Sequence, residues 1–501
     1  MNRQLDRLGV DKITLSISLL SVFFIATFIL YDAEFAKSSI ALLYKSIVEI
    51  FGSSYLILTL FCFFFLIFLC ISRFGNYKFG GNEAVTEFSY LSWVGMLFCS
   101  GIGGGIIYWS GVEWSYYVGN PPFDIVPYSE ESFSLATAYG LFHWGISAWS
   151  IYGIPAIALS IAFYKYKLNS LRLSSSLSGL GIPNIEGTLF GRFIDLIFIL
   201  ATVGAAGGTI GSYIPMLSSG FSEIFNINNG LYLKILVICL CVGLFGYSVY
   251  KGLDKGIKKL SNFNLLLALF FLIIIIFSTD AFGVLETSLS GVFFSVTHFW
   301  DMSTLGIGED SKFAEEWTIF YWAWWVAFGP LVGLFIARIS KGRSLREVIL
   351  GMLFFGTLGT WLFYMILGGF AMNLELSGEF VVTQSMNSVG HAETAIAVVK
   401  NLPFEVFMIF IFCLITIIFV TTSYDSMSYV ISYHVLKTSN ENKEPDKKLR
   451  LFWAVILGIL PATLVIYSDH SVALDIILIT SLPLLLIYPL MAISIYRELI
   501  Q

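Results

Sequence analysis

Runs of mostly apolar residues, each about as long as a bilayer is thick, constrain this chain more than any other feature. A helix that crosses the hydrocarbon core needs about 20 such residues. Only 12% of the residues are charged, which is roughly half the share found in soluble domains. The sequence therefore predicts an all-α, multi-pass membrane protein with twelve transmembrane helices, at residues 13–32, 53–72, 88–112, 134–163, 193–219, 231–250, 259–278, 317–338, 346–371, 403–436, 451–468 and 472–495.

The basic residues predict how these spans are oriented. Loops on the cytoplasmic side of a membrane protein are enriched in lysine and arginine. If the amino terminus is cytoplasmic, all basic residues lie on that side except Lys37, Lys45, Lys234, Lys312 and Lys400. We therefore expect both termini in the cytoplasm and the protein in the cytoplasmic (inner) membrane.

The segment between the seventh and eighth spans has a mixed character. Residues 282–300 are largely apolar, but Glu286 and several hydroxyl-bearing residues interrupt them. This pattern predicts an amphipathic helix at the outer face, which is a packing surface for another subunit. A re-entrant segment or a loop is the alternative.

A glycine-rich stretch, Ser100-Gly101-Ile102-Gly103-Gly104-Gly105, lies inside the third span. Each glycine costs about 1 kcal/mol relative to alanine in a helix interior, which makes a continuous helix improbable. A break frees backbone carbonyls and amides at membrane depth, where transporters bind cations and carboxylates. Close helix packing through small residues explains the glycines equally well.

Two spans carry aromatic side chains along one face. They are Trp144, Trp149 and Tyr152 in the fourth span, and Trp317, Tyr321, Trp324, Trp325 and Phe328 in the eighth. A quaternary ammonium group cannot donate hydrogen bonds, so proteins bind it with aromatic faces. Either stripe alone is better explained by core or lipid packing. Both together, beside the glycine run, favour a cation-binding box.

The tenth span ends in the polar run Thr421-Thr422-Ser423-Tyr424-Asp425-Ser426. Polar groups are costly inside a membrane unless they line a site, and hydroxyl oxygens suit a small hard cation such as sodium. Hydroxyls that bond back to their own helix are the alternative.

Three other ionisable residues lie within predicted spans or beside them. Glu113 and Asp195 are functional candidates because of their depth, but helix capping or ion pairing explains them at least as well. His143 fits a packed or singly hydrogen-bonded histidine better than a proton carrier.

Three motifs carry a resemblance to a known family: WTIFYWAWWVAFGP with ARISKGRSLRE after it, FHWGISAWSIYG, and TSYDS. The chain resembles the betaine/choline/carnitine transporter family over nearly its whole length, and IIYWSGVEWSYYVGNPPF looks most like the carnitine branch. The resemblance implies two inverted five-helix repeats, alternating access and a homotrimer. It divides the chain into two extra helices (1–85), a first repeat (86–280), an interface helix (281–312) and a second repeat (313–501).

The resemblance also assigns a substrate site. It implies a cage of Trp144, Trp149, Tyr152 and Trp325, with Trp324 and Phe328 on the inward path and Gly101, Gly103 and Gly105 at the substrate. Phe328 departs from the family's betaine carriers, which have tryptophan there, so we expect a weaker cation–π interaction at this position. Choline carriers place an aspartate where this chain has Gly105. A neutral backbone there suits a substrate with its own carboxylate, such as betaine or carnitine.

A sodium site follows from the same resemblance. It consists of the carbonyls of Cys99, Ile102 and Phe419 and the hydroxyls of Thr422 and Ser423. The family's sodium-independent carnitine exchangers have arginine where this chain has Asn264 and methionine where it has Val332, so we infer sodium coupling. A second family sodium site is matched less clearly, by Thr202 and Thr209. Sodium is a coupling ion here, and we expect no other cofactor.

We therefore predict a sodium-coupled symporter of a quaternary ammonium compound, either glycine betaine or a carnitine-like molecule. A sodium-independent exchanger and a non-transporting receptor for the same ligand are the alternatives. An enzyme is not expected, because no catalytic set, metal-ligand cluster or phosphate loop lies in a segment of soluble size. No nucleic-acid partner is expected.

Overall fold

A computed structural model of the chain describes residues 9–101, 103–166, 172–251, 257–308, 310–437, 445–467 and 470–501. The described residues are almost entirely helical. The α-helices in chain order are α1 (Lys12–Tyr31), α2 (Ala33–Ile71), α3 (Tyr90–Gly101), α4 (Gly104–Trp109), α5 (Trp114–Gly119), α6 (Glu130–His143), α7 (Ile146–Lys165), α8 (Leu189–Phe225), α9 (Leu231–Lys251), α10 (Ile257–Phe277), α11 (Ala281–Thr297), α12 (Phe299–Thr304), α13 (Ile319–Ile339), α14 (Leu345–Gly351), α15 (Thr357–Phe363), α16 (Gly369–Ser377), α17 (Val382–Ser388), α18 (His391–Lys400), α19 (Glu405–His434), α20 (Lys447–Tyr467), α21 (His470–Ser481) and α22 (Leu484–Ile500).

Short helical segments of other types join some of these helices. Turns of π-helix, in which the hydrogen bonds span five residues, precede α13 at Ala314–Thr318 and flank α15 at Met352–Gly356 and Tyr364–Gly368. Segments of 3₁₀-helix cover Arg73–Asn76, Leu173–Leu180 and Ile185–Gly187.

Ten helical segments in the described part of the chain are long and apolar enough to cross a membrane. Leu474–Ser481 and Leu484–Ile500, which bend by 46° at their junction, count as an eleventh if they form one span. The protein is therefore a multi-pass membrane protein. Its exact number of spans and its division into inverted repeats at residues 86–280 and 313–501 stay predictions.

The second helix is longer than the apolar run at 53–72. It begins at Ala33 and extends over 39 residues, capped by the Asp32 side chain. Lys37, Lys45 and Glu49 interrupt the hydropathy of its first half, but residues of this kind are good helix formers. An apolar run thus locates the part of a helix that can cross a bilayer, but it underestimates the length of the whole helix.

The spans differ in how deeply they are buried. The segments of α6 with α7, of α8 and of α13 are mostly buried, whereas α1, α9 and α10 are the least buried, with about a third or less of each inside the protein. Helices α7 and α13 pack along each other at the centre. The two helices that carry the predicted aromatic stripes are therefore neighbours, and the most exposed spans present apolar side chains outward, as lipid-facing helices do.

The third predicted span is broken at the glycine run. Helix α3 ends at Gly101, Gly103 is extended with φ −128° and ψ 175°, and α4 begins at Gly104. The predicted break is therefore present, although Ile102 itself lies outside the described residues.

Helix α11 lies where the amphipathic helix was predicted. Its buried residues, Val284, Ser288, Gly291 and Ser295, recur every three or four positions, and it packs against α6. The opposite face carries exposed apolar side chains, which include Phe282, Leu285, Leu289, Phe293 and Val296. The loop alternative is thus wrong. Ser288, Gly291 and Ser295 are buried in the protein, whereas Glu286 and Ser290 are exposed.

Candidate functional site

The core of the site is a cluster of aromatic rings from the two central helices. Trp144 follows the last residue of α6, in the bend before α7, and Trp325 lies on α13. Their ring centroids are 4.7 Å apart with the planes at 73°, which is an edge-to-face contact. Both side chains are buried. Two residues that lie 181 positions apart in the chain therefore meet as predicted.

Tyr152 and Trp149 extend this cluster along α7. The Tyr152 ring lies 6.0 Å from Trp325 and 5.5 Å from Trp149, and both contacts are edge-to-face. Trp149 packs closely against Gly356, where an added Cβ would come within 2.4 Å of the indole. Trp149 therefore joins the cluster through Tyr152, and its ring is fixed mainly by packing on the π-helical turn.

The remaining rings of α13 continue the cluster in both directions. Trp324 stacks on Trp325 at 5.3 Å and lies 6.0 Å from Trp144. Phe328 contacts Trp324 at 6.5 Å and is only half-buried. The structure thus brings Trp144, Tyr152, Trp324 and Trp325 together and leaves Phe328 at the margin.

Hydrogen bonds hold the two central indoles in place. The Nε1–H group of Trp325 donates to the His143 carbonyl at 2.8 Å, and that of Trp144 donates to Glu113 Oε2 at 3.1 Å. The Thr360 hydroxyl donates to the Trp144 carbonyl at 2.5 Å. The two indole bonds lie at the edges of the rings, so they fix the indoles without covering the ring faces.

Glu113 is fully buried beside the cluster and accepts four hydrogen bonds. Tyr117 donates to Oε1 at 2.7 Å, while Tyr321, Tyr364 and Trp144 donate to Oε2. No lysine or arginine pairs with this carboxyl group in the described part of the chain. Glu113 directly precedes α5, but its side chain makes no capping hydrogen bond there. Ion pairing and capping are therefore both wrong for Glu113, whose side chain is hydrogen-bonded to the aromatic cluster instead.

His143 extends the same network. The Tyr117 hydroxyl donates its hydrogen bond to Glu113. Its oxygen therefore accepts a hydrogen bond from His143 Nδ1, at 3.2 Å. His143 Nε2 then accepts from the Thr318 hydroxyl at 3.1 Å. The histidine is packed, as predicted, but both ring nitrogens are bonded rather than one.

The glycine run contacts the cluster directly. An alanine Cβ at Gly105 would lie 2.9 Å from Trp144 Cη2, and one at Gly104 would lie 2.9 Å from the Tyr213 ring. Gly103, by contrast, has open space beside it. Gly105 is therefore a packing surface for Trp144, and the open backbone of the break is at Gly103. Gly101 ends α3 on the other side of the break.

Of the predicted sodium ligands, Cys99 lies on α3, before the break, and Phe419, Thr422 and Ser423 lie on α19. Helix α19 is continuous through Thr422 and Ser423 and packs against α4. The Thr422 hydroxyl donates to the carbonyls of Ile418 and Phe419 at 3.0 and 3.1 Å, so it bonds back to its own helix, as the alternative for this run predicts. Cys99 is half-buried near the end of α3, and Ile102 lies outside the described residues.

Several neighbouring polar residues have other partners. Tyr424 donates to the Ala206 carbonyl, and Asp425 accepts from Ser248 at 2.7 Å, so both connect α19 to other helices. Asp195 is paired with Arg172 at 3.5 Å and accepts from Ser174. Pairing, which was one of the two roles considered for Asp195, is therefore its role in the structure.

Two important members of the site were not identified from the sequence. Tyr321 was counted in the aromatic stripe but not in the cage, and its ring lies 5.8 Å from both Trp144 and Trp325. Its spacing of four residues from Trp325 was the signal that could have placed it. Tyr364, 5.5 Å from Trp144, lies in a π-helical turn, where no periodic signal marks it.

Comparison with known proteins places this arrangement in a family. A sequence model of the betaine/carnitine/choline family of transporters (BCCT) matches residues 13–501. The chain belongs to this family. Its BCCT relatives include a carnitine transporter of Acinetobacter baumannii, which is 31% identical over 511 residues, 100% of this chain and 91% of the relative. A glycine betaine transporter of Bacillus subtilis is 31% identical over 90% of this chain and 87% of its own length.

A third BCCT relative has another substrate in its name. The high-affinity choline transport protein of Escherichia coli K12 is 28% identical over 99% of this chain and 73% of its own length. The relatives are thus named for three different quaternary ammonium compounds at nearly equal identity. Membership of the BCCT family establishes a transporter rather than an enzyme, and overall identity does not select among these substrates.

Proposed function

We propose that the protein is a sodium-coupled symporter of a quaternary ammonium carboxylate, either glycine betaine or a carnitine-like compound. The observation that carries this proposal is the buried cluster of Trp144, Tyr152, Trp324 and Trp325 beside the broken helix. Aromatic faces attract a trimethylammonium group, and a helix break offers free backbone groups for its carboxylate. Trp149 and Phe328 form the second layer of this cage.

Sodium coupling is supported by the residues around Thr422 and Ser423. Two adjacent hydroxyls lie on a continuous helix that packs against α4, the helix that follows the break, and hard cations prefer oxygen ligands. We propose that sodium binds there with the carbonyls of Cys99, Ile102 and Phe419. The Asn264 amide donates to the Ile415 carbonyl at 3.2 Å, so a neutral group occupies the position where the sodium-independent exchangers carry an arginine.

A second sodium ion is a weaker part of the proposal. The Thr202 hydroxyl donates to the Phe198 carbonyl, whereas the buried Thr209 hydroxyl has no partner among the described residues. Of the two threonines, Thr209 is therefore the better candidate for a ligand of a second sodium ion.

In the proposed membrane arrangement, both termini lie in the cytoplasm and the protein resides in the cytoplasmic (inner) membrane. This orientation places the basic cluster at the end of α13 and just after it, from Arg338 to Arg346, on the cytoplasmic side. Alternating access would then expose the cage to either side through movement of one inverted repeat against the other.

Uptake of labelled glycine betaine into proteoliposomes tests this proposal. We expect accumulation with an inward sodium gradient and little without it. Replacing the two hydroxyls in a Thr422→Ala/Ser423→Ala variant should raise the sodium concentration for half-maximal uptake, because two oxygen ligands are lost. Thr463→Ala, which removes a hydroxyl from α20, is the control and should leave the sodium dependence unchanged.

The same assay separates the alternatives. Full activity in sodium-free buffer on both sides, stimulated by substrate inside the vesicle, would establish exchange instead of symport. Saturable binding without any accumulation would establish a receptor. Unaltered sodium dependence in the double variant would remove these hydroxyls from the mechanism.

A further inference from the structure

The carboxyl group of Glu113 stands out among the buried charged residues because it touches the cage itself. Its Oε2 atom lies 3.1 Å from Trp144 Nε1, and the Trp144 ring contacts Trp325 at 4.7 Å. An indole N–H can only donate, and the three tyrosine hydroxyls also point their protons at this group. Four donors match the acceptor-only, ionised form of a carboxyl group.

A buried carboxylate with no cationic partner is costly, even when it is well hydrogen-bonded. In the described part of the chain, Glu113 has four donors but no paired lysine or arginine. Two other buried acids do have a base: Asp195 pairs with Arg172, and Glu498 pairs with Lys165 at 2.6 Å. The cation that is missing near Glu113 is what a trimethylammonium substrate brings to the cage.

The position of the carboxylate decides how it acts on that cation. Its hydrogen bond lies at the edge of the Trp144 ring, so the carboxylate itself does not cover a face of that ring. A hydrogen bond from an N–H group to an anion polarises the donor, which increases the electron density on the ring. A ring with a more negative face attracts a cation more strongly.

We propose that Glu113 is a positioning residue that orients the Trp144 ring. Through the indole N–H group, it makes the cage bind a charged trimethylammonium group more tightly than an uncharged group of the same shape. This inference rests on the proposed function and adds the origin of charge selectivity. Tyr117, Tyr321 and Tyr364 hold the carboxylate at the ring edge, because they bind it from three separate segments.

The test compares two ligands on purified protein. Glycine betaine carries a trimethylammonium head, and 3,3-dimethylbutanoate has a tert-butyl group of the same shape without the charge. The measured quantity is the ratio of their dissociation constants. In Glu113→Gln, which keeps the size and loses the charge, we expect the preference for glycine betaine to fall about tenfold. A purely structural role would weaken both ligands by the same factor and leave the ratio unchanged.

A second variant weakens the charge without replacing Glu113. Tyr364→Phe removes one of the donors that stabilise the ionised carboxylate, so the carboxylate is ionised for less of the time and we expect the preference for glycine betaine to fall about twofold. If Glu113→Gln does not fold, this fall supports the proposal, and an unchanged or higher ratio overturns it. If the unmodified protein binds none of glycine betaine, carnitine and choline, the proposed function itself fails. If it binds glycine betaine but Glu113→Gln keeps the wild-type ratio, only the inference about Glu113 fails.

Discussion

Individual aromatic residues of the cage differ in what holds them and therefore in what their replacement should do. Trp325 contacts Trp144, Trp324, Tyr152 and Tyr321 and is anchored by one hydrogen bond to a backbone carbonyl. Trp149 contacts fewer of the cage rings and rests on the backbone of Gly356. We therefore propose that Trp325 binds the cation directly and that Trp149 supports the cage.

Trp325→Leu is expected to weaken glycine betaine binding by about 1 to 2 kcal/mol, the value of a desolvated cation–π contact. Leucine keeps an apolar side chain at this position but offers no aromatic face. Isothermal titration calorimetry of the purified protein measures the change.

The matched control for this substitution is Trp453→Leu. Trp453 is also fully buried, but it lies on α20, and it contacts no residue of the cage among the described ring contacts. Both variants lose a comparable amount of packing, so a loss of affinity in Trp325→Leu alone identifies a binding role. Equal affinities in both variants would show that the Trp325 ring is structural.

At the scale of elements, the broken third span positions the cage. The end of α3 and the start of α4 bring Gly105 under Trp144, while Gly103 leaves open space at the break. A side chain at Gly105 would occupy the place of the indole ring. The absence of a Cβ there is therefore a packing requirement, whatever the carboxylate of the substrate contacts.

Gly105→Ala is expected to lower the melting temperature, because the added Cβ would lie 2.9 Å from Trp144 Cη2. Overpacking costs about 1–3 kcal/mol, which exceeds the gain of roughly 1 kcal/mol in helix propensity. The displaced ring should also weaken glycine betaine binding. Thermal unfolding of the ligand-free protein measures the first effect.

Gly103→Ala serves as the control, because nothing lies within 4 Å of its added Cβ and its φ of −128° suits alanine. We expect its melting temperature to stay close to the wild-type value. If Gly105→Ala were as stable as Gly103→Ala, the packing of Trp144 on this glycine would not be tight in the folded protein.

At the scale of the whole molecule, α11 leaves an apolar face uncovered. One side of this helix, with Ser288, Gly291 and Ser295, is buried in the protein, and the other side exposes Leu289 at 57% and Phe293 at 71%. Large exposed apolar patches mark contacts with other proteins or with lipid. We propose that this face binds the neighbouring subunit in the homotrimer that the resemblance to the family implies.

Leu289→Ser/Phe293→Ser is expected to convert a trimer into monomers, because it places two hydroxyls in the proposed contact. Light scattering coupled to size-exclusion chromatography in detergent measures the mass of the particle. The control, Leu266→Ser/Phe270→Ser, changes two residues with the same spacing on the exposed face of α10 and should stay trimeric. A monomeric wild-type protein, or a trimeric α11 variant, would contradict the proposal.

The sequence by itself determined features that depend on neighbouring residues in the chain. Apolar runs identified nearly all of the long helices, because the length of such a run decides whether a helix can cross a bilayer. Glycines placed the break, because they are poor helix formers. The aromatic spacing identified the helix faces that meet at Trp144 and Trp325.

Only the tertiary structure decided which distant groups complete the site. Tyr364 lies 251 positions from Glu113, and it reaches the carboxylate from a π-helical turn that no spacing predicts. Glu113 had equally good local explanations, and the four donors around it come from separate segments of the chain. Convergence of this kind depends on how the helices pack against each other, and that packing is set by contacts between residues far apart in the sequence.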